Sequence, residues 1–290
     1  MRSVSIALVV GVLTAGATAS CSEDDMNQSS RDDVRVNDPG AVHVHGLGIN
    51  PADRALFLAT HTGLFRAAQG ELRARRVADR FQDTMGFAVI GPDRFLGSGH
   101  PDGRDDLPPF LGLIQTRDAG RSWKPVSLTG KRDFHLLEAA GKRIYGFGSD
   151  FKNREAALLV SSDAGRSWEE VTAPEPLVSL AIDPNAPERV LASGEQGLYV
   201  SGDAGRRWRS LDARVGWLAW PSARAAYLVT LDGRVSRSAD AGLSWDSVGD
   251  VGGPPSAFES APDELYIALH DGTIKRSTDG GRSWSVRSRP

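Results

Sequence analysis

From about residue 41 to the end of the chain, short apolar runs alternate with polar turns. LVSLAIDP, RVLASGE, GLYVSGDAGRRW and RSLDA follow one another in one stretch. PSAFESAPD, ELYIALH, GTIKRSTDGGRSW and SVRSR repeat that order near the end. Each run is a few residues long and bounded by Gly, Asp, Asn or Pro, which is the pattern of strands joined by tight turns. Four runs make one unit, so the pattern predicts repeated four-stranded antiparallel sheets.

The period is fixed by a short phrase. TRDAGRSW recurs as SSDAGRSW, SGDAGRRW, SADAGLSW and STDGGRSW. The closing tryptophans, Trp123, Trp168, Trp208, Trp245 and Trp284, are 45, 40, 37 and 39 residues apart. A period in this range marks a repeat architecture. One further unit precedes them, reading VHGLGINPAD, RALFLATH, TGLFRAAQG and ELRARRVA, with AAQG where the phrase would stand. Six units predict an all-β fold: a six-bladed β-propeller of four-stranded antiparallel blades over residues 41–290, with seven blades as the alternative. The last unit is complete by itself, so blade six is expected to pack directly on blade one. Val34 to Val36 are the candidate for an added outer strand.

The phrase lies between the third and fourth strands of each unit. Asp118, Asp163, Asp203, Asp240 and Asp279 can accept bonds from turn amides. Gly120, Gly165, Gly205, Gly242 and Gly281 suit positions of positive φ, and each tryptophan is a large apolar anchor. Five equivalent turns fit a structural role far better than five active sites. The pattern S/T-x-D-x-G-x-x-W resembles the Asp-box, or BNR repeat, of sialidase-like propellers. That resemblance implies the propeller fold. It implies no single function, because sialidases, other glycoside hydrolases, sorting receptors and photosystem assembly factors share the box. HVHGLGINPADRALFLATHTGLFR also resembles the opening of exported bacterial Asp-box proteins labelled glycosyl hydrolase, on His43, His45, Gly46, Asn50, Pro51 and His61.

The start of the chain has a different character. MRSVSIALVVGVLTAGATAS carries a basic start, an apolar run and small residues at its end, which reads as an export signal over residues 1–20. Cys21 is the one cysteine, so it forms no internal disulfide. With Thr18, Ala19 and Ser20 before it, Cys21 resembles the lipid-attachment cysteine of bacterial lipoproteins, although Thr18 stands where leucine is usual. A secreted protein cleaved near Ala19 is the other reading. Residues 21–40 are polar and read as a tether. The expected location is therefore outside the cytoplasm, on the membrane through an N-terminal lipid. The formal charge is −3 with no basic stripe, which argues against nucleic acid. A monomer is expected.

In a propeller with the boxes on one face, binding chemistry belongs on the other. All six histidines fall there. His43 and His45 open the first strand of unit one and His61 ends its second. His100 ends the second strand of unit two, His135 begins the first strand of unit three, and His270 ends the second strand of unit six. His43 and His45, two apart in a strand, would point the same way and could share zinc or copper. Histidines merely hydrogen-bonded around a wet channel are the alternative. Asp150, Glu195, Asp232 and Asp271 lie on the same rim, with Glu259 in a first strand. Two carboxylates across a narrow channel are the glycosidase arrangement, so Glu195, Asp232, Asp150 and Glu259 are the catalytic candidates.

Two insertions, HPDGRDDLPPFLG and SDFKNREAA, sit on the histidine face. Phe110 and Leu111 are expected to give the first an apolar tip for binding. A sialidase mechanism is not expected. Arg80, Arg104, Arg132, Arg154 and Arg214 match no arginine-triad context, the F/Y-R-I-P stretch is absent, and Tyr145, Tyr199, Tyr227 and Tyr266 are badly placed. The reading is an exported module that binds a ligand, a metal, a carbohydrate or a protein on its histidine face. A glycoside hydrolase and an assembly scaffold are the alternatives.

Overall fold

The computed structural model of the chain describes residues 38–289. The signal, Cys21 and Val34 to Val36 lie outside the described residues. Six four-stranded sheets, each with its strands in sequence order, make up residues 40–289. Their innermost strands are β1 (Val44–Ile49), β5 (Asp83–Gly91), β9 (Arg132–Ala140), β13 (Leu177–Ile182), β17 (Gly216–Ser222) and β21 (Pro255–Ala261). Each packs on the next, and β21 packs on β1, so the sheets are the blades of a closed propeller.

The burial pattern follows from that stacking. Second strands such as β2 (Leu56–Thr60), β14 (Val190–Gly194) and β22 (Glu264–Leu269) are buried at every position. A middle strand has a blade on both faces, so its sequence loses the two-residue alternation and becomes continuously apolar. Outer strands such as β8 (Lys124–Ser127) and β16 (Arg209–Asp212) begin with exposed positions and carry charge, which discourages edge-to-edge association. Each of the six seams between blades holds one apolar cluster. Between blades one and two the rings of Phe57 and Phe95 meet at 4.8 Å, both fully buried. Burial of a side chain of that size stabilises by about 1.5–3 kcal/mol. Blade six packs directly on blade one through Val44, Leu58, Ala257 and Tyr266.

The repeated turns brace the face between third and fourth strands. In each, the leading hydroxyl accepts from the glycine amide four residues on, as in Gly165 N to Ser161 Oγ at 2.9 Å. The aspartate accepts from the hydroxyl and from the turn amides, as in Ser167 N to Asp163 Oδ1 at 2.9 Å. The glycines have φ of 81–86°, and Ala119, Ala164, Ala204 and Ala241 just before them are also left-handed. That second left-handed residue was not evident from the sequence. Trp168, Trp245 and Trp284 donate their indole N–H to the glycine carbonyl of their own turn. Trp208 donates instead to Thr172 O on the preceding blade.

Candidate metal centre

Antiparallel order puts the first-to-second and third-to-fourth connections on one face and the second-to-third connections on the other. His43, His45 and His61 converge on the latter. Their rings lie 5.0, 5.1 and 4.2 Å apart pairwise, and one nitrogen from each falls within 4.8 Å of the others. The cause is not simple strand alternation. β1 starts only at Val44, and His43 precedes it with φ of 55°, a conformation few non-glycine residues adopt. The ladder then slips: Val44 pairs with Thr60 and Gly46 with Ala59, leaving His45 as the extra residue of a β-bulge. Bulges re-aim side chains beside functional sites. His45 Nε2 is buried and has no hydrogen-bond partner among the described residues. Burial, with the neighbouring charge of His61, lowers the His45 pKa to about 4, so its lone pair is free at neutral pH.

A line of carboxylates and imidazoles leads away from the triad. His61 Nδ1 lies 3.1 Å from Asp83 Oδ1, and His100 Nδ1 lies 3.2 Å from Asp83 Oδ2. His100 Nε2 faces Asp133 Oδ2 at 3.5 Å, and His135 Nε2 meets the same oxygen at 3.0 Å. Burial alone would raise the Asp83 carboxyl. The His100 hydrogen bond and the His61 charge outweigh it and hold Asp83 below the usual range. The Asp83 bond raises His100 against its own burial. His100 thus has a carboxylate near each ring nitrogen and stands outside the group formed by His43, His45 and His61. His135 is a bulge residue like His45, since Leu136 pairs with Phe147 and Phe134 with Gly148. His270 stands at the edge of the triad, its ring 6.3 Å from that of His43.

The channel along the axis is narrow, about 60 Å³, and is lined by His45, Met85, His135, Trp217, Glu138 and Glu259, among others. Glu138 on β9 and Glu259 on β21 come from opposite blades of the ring. Burial, together with the charge of Glu259, raises Glu138 well above the ordinary carboxyl range; burial raises Glu259 to about 7. Glu138 was missed in the sequence. Its signal was a lone carboxylate inside LLEAA of a first strand, a place otherwise reserved for apolar side chains.

The rim carboxylates serve their own turns. Asp150 accepts from Lys152 N, Asp271 from Thr273 N, and Asp232 from the Thr230 hydroxyl, while Glu195 is exposed. The carboxylate that shares the channel with Glu259 is Glu138.

The expected apolar tip of the first insertion is folded inward. Phe110 and Leu111 are each only 4% exposed. Gly130 N bonds Phe110 O and Leu111 N bonds Gly99 O, pulling the loop end onto the rim. The Phe110 ring fills the space between His100 at 5.6 Å and Phe151 of the second insertion at 5.3 Å. An aromatic ring with another ring against each side gains more from burial than from display. Phe151 is the exposed aromatic of this face, with the Arg154 guanidinium 5.4 Å from its centroid.

Comparison with known proteins places the architecture. A family model described as Sortilin, neurotensin receptor 3, matches residues 112–231, less than half of the chain. No curated protein matches it in sequence. YCF48 from Cyanidioschyzon merolae is similar in structure at 14% identity and a TM-score of 0.52, over 86% of this chain and 85% of that one. A luciferin-regenerating enzyme is similar at 11% identity and a TM-score of 0.58, over 83% and 87% of the two chains. The GH74 xyloglucanase from Xanthomonas campestris is similar at 19% identity and a TM-score of 0.51; 85% of this chain matches, spanning 45% of the enzyme. At these identities the likeness concerns fold. The chain is a six-bladed β-propeller whose fold resembles those of YCF48 and the GH74 xyloglucanase.

Proposed function

We propose that this chain is an exported binding module that holds one transition-metal ion, zinc or copper, on His43, His45 and His61. The observation that carries the reading is the buried, unpartnered Nε2 of His45 amid three converging imidazoles. Burying a polar nitrogen without a partner is costly, and a metal supplies the missing one. Three neutral imidazoles suit a borderline ion. A three-histidine set leaves a coordination position open, and His43 and His61 are exposed, so that position would face the rim and accept an outside ligand. Asp83 would hold His61 by Nδ1 and so present Nε2 to the ion. The ligand at the open position is a group of a protein or carbohydrate partner. We take the five repeated turns as Asp boxes whose work is bracing, and Cys21 as the lipid anchor that keeps the module on the membrane outside the cytoplasm.

The hydrolase alternative is less well supported. A channel of about 60 Å³ is far smaller than the ~300 Å³ at the low end of small-molecule pockets. Of the rim carboxylates, Asp150, Asp232 and Asp271 are bonded within their own turns, and Glu195 is exposed.

Metal analysis tests the reading. Protein refolded in zinc or copper and dialysed should retain one ion per chain, and His45→Ala should retain none. A wild-type protein that retains no ion after either metal would end it.

A further inference from the structure

On the turn-bearing face, five seams are closed in one way. The glycine of each repeated turn lies on an apolar side chain of the preceding blade: Gly120 on Leu64, Gly165 on Leu113, Gly205 on Val171, Gly242 on Leu191 and Gly281 on Val235. A side chain on most of these glycines would collide with that neighbour. Blade one carries AAQG in place of the phrase, so the seam it shares with blade six cannot be plugged this way.

On this face that seam is closed by polar groups instead, above its apolar cluster. Arg287 on β24 (Ser285–Ser288) donates to the carbonyls of Ala67, Ala68 and Glu71, fastening the plain turn of blade one to blade six. Beside it lies a cavity of about 170 Å³ lined by Arg54, Gln69, Glu264, Tyr266, Arg276 and Arg287, among others. Glu264 is buried and is the one carboxylate there. It accepts from Arg54 at 2.6 Å, from the Tyr266 hydroxyl at 2.5 Å and from Arg276. Two guanidiniums thus share one carboxylate, and the third, Arg287, donates to backbone carbonyls. Arg276 Nε is buried and has no acceptor among the described residues. Burial, and after it the charge of Arg276, hold the Arg287 pKa below its usual value.

We propose that the seam between blades six and one is a binding site for a small free oxyanion, inorganic phosphate or sulfate. A tetrahedral anion offers the acceptor that Arg276 Nε lacks and offsets the excess charge of Arg54, Arg276 and Arg287. Guanidinium groups suit it because their planar N–H array matches such oxygens. The cavity has room for the anion and a few waters, each water taking roughly 30 Å³. Bound there, the anion touches the first and last blades and stabilises the closed ring by mass action. This site is on the opposite face from the histidines and is independent of the metal reading.

Chelator-treated protein should be titrated with inorganic phosphate by calorimetry, with sulfate as competitor and chloride at equal ionic strength as control. Phosphate should bind with one site per chain and raise the melting temperature above the chloride control. Arg276→Lys keeps the charge and removes the Nε donor, and should weaken phosphate about tenfold, the loss of one charge-assisted hydrogen bond. If that variant does not fold, the more exposed Arg54→Gln decides, with a loss of similar size expected. A phosphate response no greater than that of chloride overturns the proposal. So does unchanged phosphate affinity in the folded variant.

Discussion

His61 Nδ1 and Asp83 Oδ1 lie 3.1 Å apart across the seam between blades one and two. A contact of this kind favours the tautomer with the proton on Nδ1 toward the carboxylate, which would leave the Nε2 lone pair for an ion. Partners of this kind typically contribute 10–100-fold in metal affinity. Asp83→Asn should therefore weaken zinc by about 10–100-fold in a competition titration, while His45→Ala abolishes binding. Equal affinity in wild type and Asp83→Asn would show that Asp83 is a fold residue only.

The repeat made the blades legible, because four short apolar runs and a fixed phrase can be counted without coordinates. The face holding the histidines followed from strand parity. Parity also put His43 and His45 on one side, but their convergence has another cause. It depends on a left-handed residue and a one-residue slip in the ladder, and neither leaves a mark in HVH. Asp83 and Asp133 were invisible for a related reason. Each joins a histidine of its own blade to one of the preceding blade, and the closing geometry of the ring decides that second meeting. Phe110 misled because an aromatic residue in a polar insertion reads as exposed until a second insertion is known to cover it.

The Glu138–Glu259 pair gives a pH dependence of unusual sign. Both carboxyls have folded pKa values above the unfolded range, near 7 for Glu259. Between about pH 4.3 and 7 the folded chain binds more protons than the unfolded one, so stability falls as pH rises through this window. Glu259→Gln removes one of the two charges. Its melting temperature should exceed that of wild type at pH 8 by a few degrees, about 1 kcal/mol for a domain of this size, and the difference should close at pH 4. A wild-type melting temperature that rises from pH 5 to 8, with no gain in the variant, would show that the pair ionises freely.

The aspartates of the repeated turns act in the opposite direction. The Ser244 hydroxyl and amide hold Asp240 near 2, and Ser283 does the same for Asp279. Their contribution is complete above the ordinary carboxyl range and is lost as pH falls from about 4 toward 2. Melting temperature should drop steeply over that interval. Asp240→Asn should flatten the drop while lowering stability at pH 7. An unchanged acid slope would mean that these bonds do not survive in solution.

Phe110 and Phe151 touch each other yet should respond differently to truncation. Phe110 is 4% exposed and Phe151 40% exposed. Phe110→Ala opens a cavity under the rim and should cost about 3–5 kcal/mol. Phe151→Ala should cost under about 1 kcal/mol and alter partner binding instead. Denaturant titration of both variants separates the roles. Equal losses would show that Phe151 belongs to the core.

Gly165 and Gly70 separate backbone strain from seam packing. Both are left-handed, with φ of 82° and 85°. A Cβ on Gly70 would meet nothing within 4 Å, whereas one on Gly165 would lie 2.1 Å from Leu113 Cδ2. Gly70→Ala should therefore cost only the left-handed penalty, about 1–2 kcal/mol. Gly165→Ala adds a collision in a close-packed seam, typically another 1–3 kcal/mol. Leu113→Ala removes the struck methyl at a cost of its own, so the double variant should be more stable than the sum of the single losses by about 0.5–3 kcal/mol. Strict additivity in that cycle would mean that the turn of blade three does not bear on Leu113, and the plugging of each seam by the following blade would lose its physical basis.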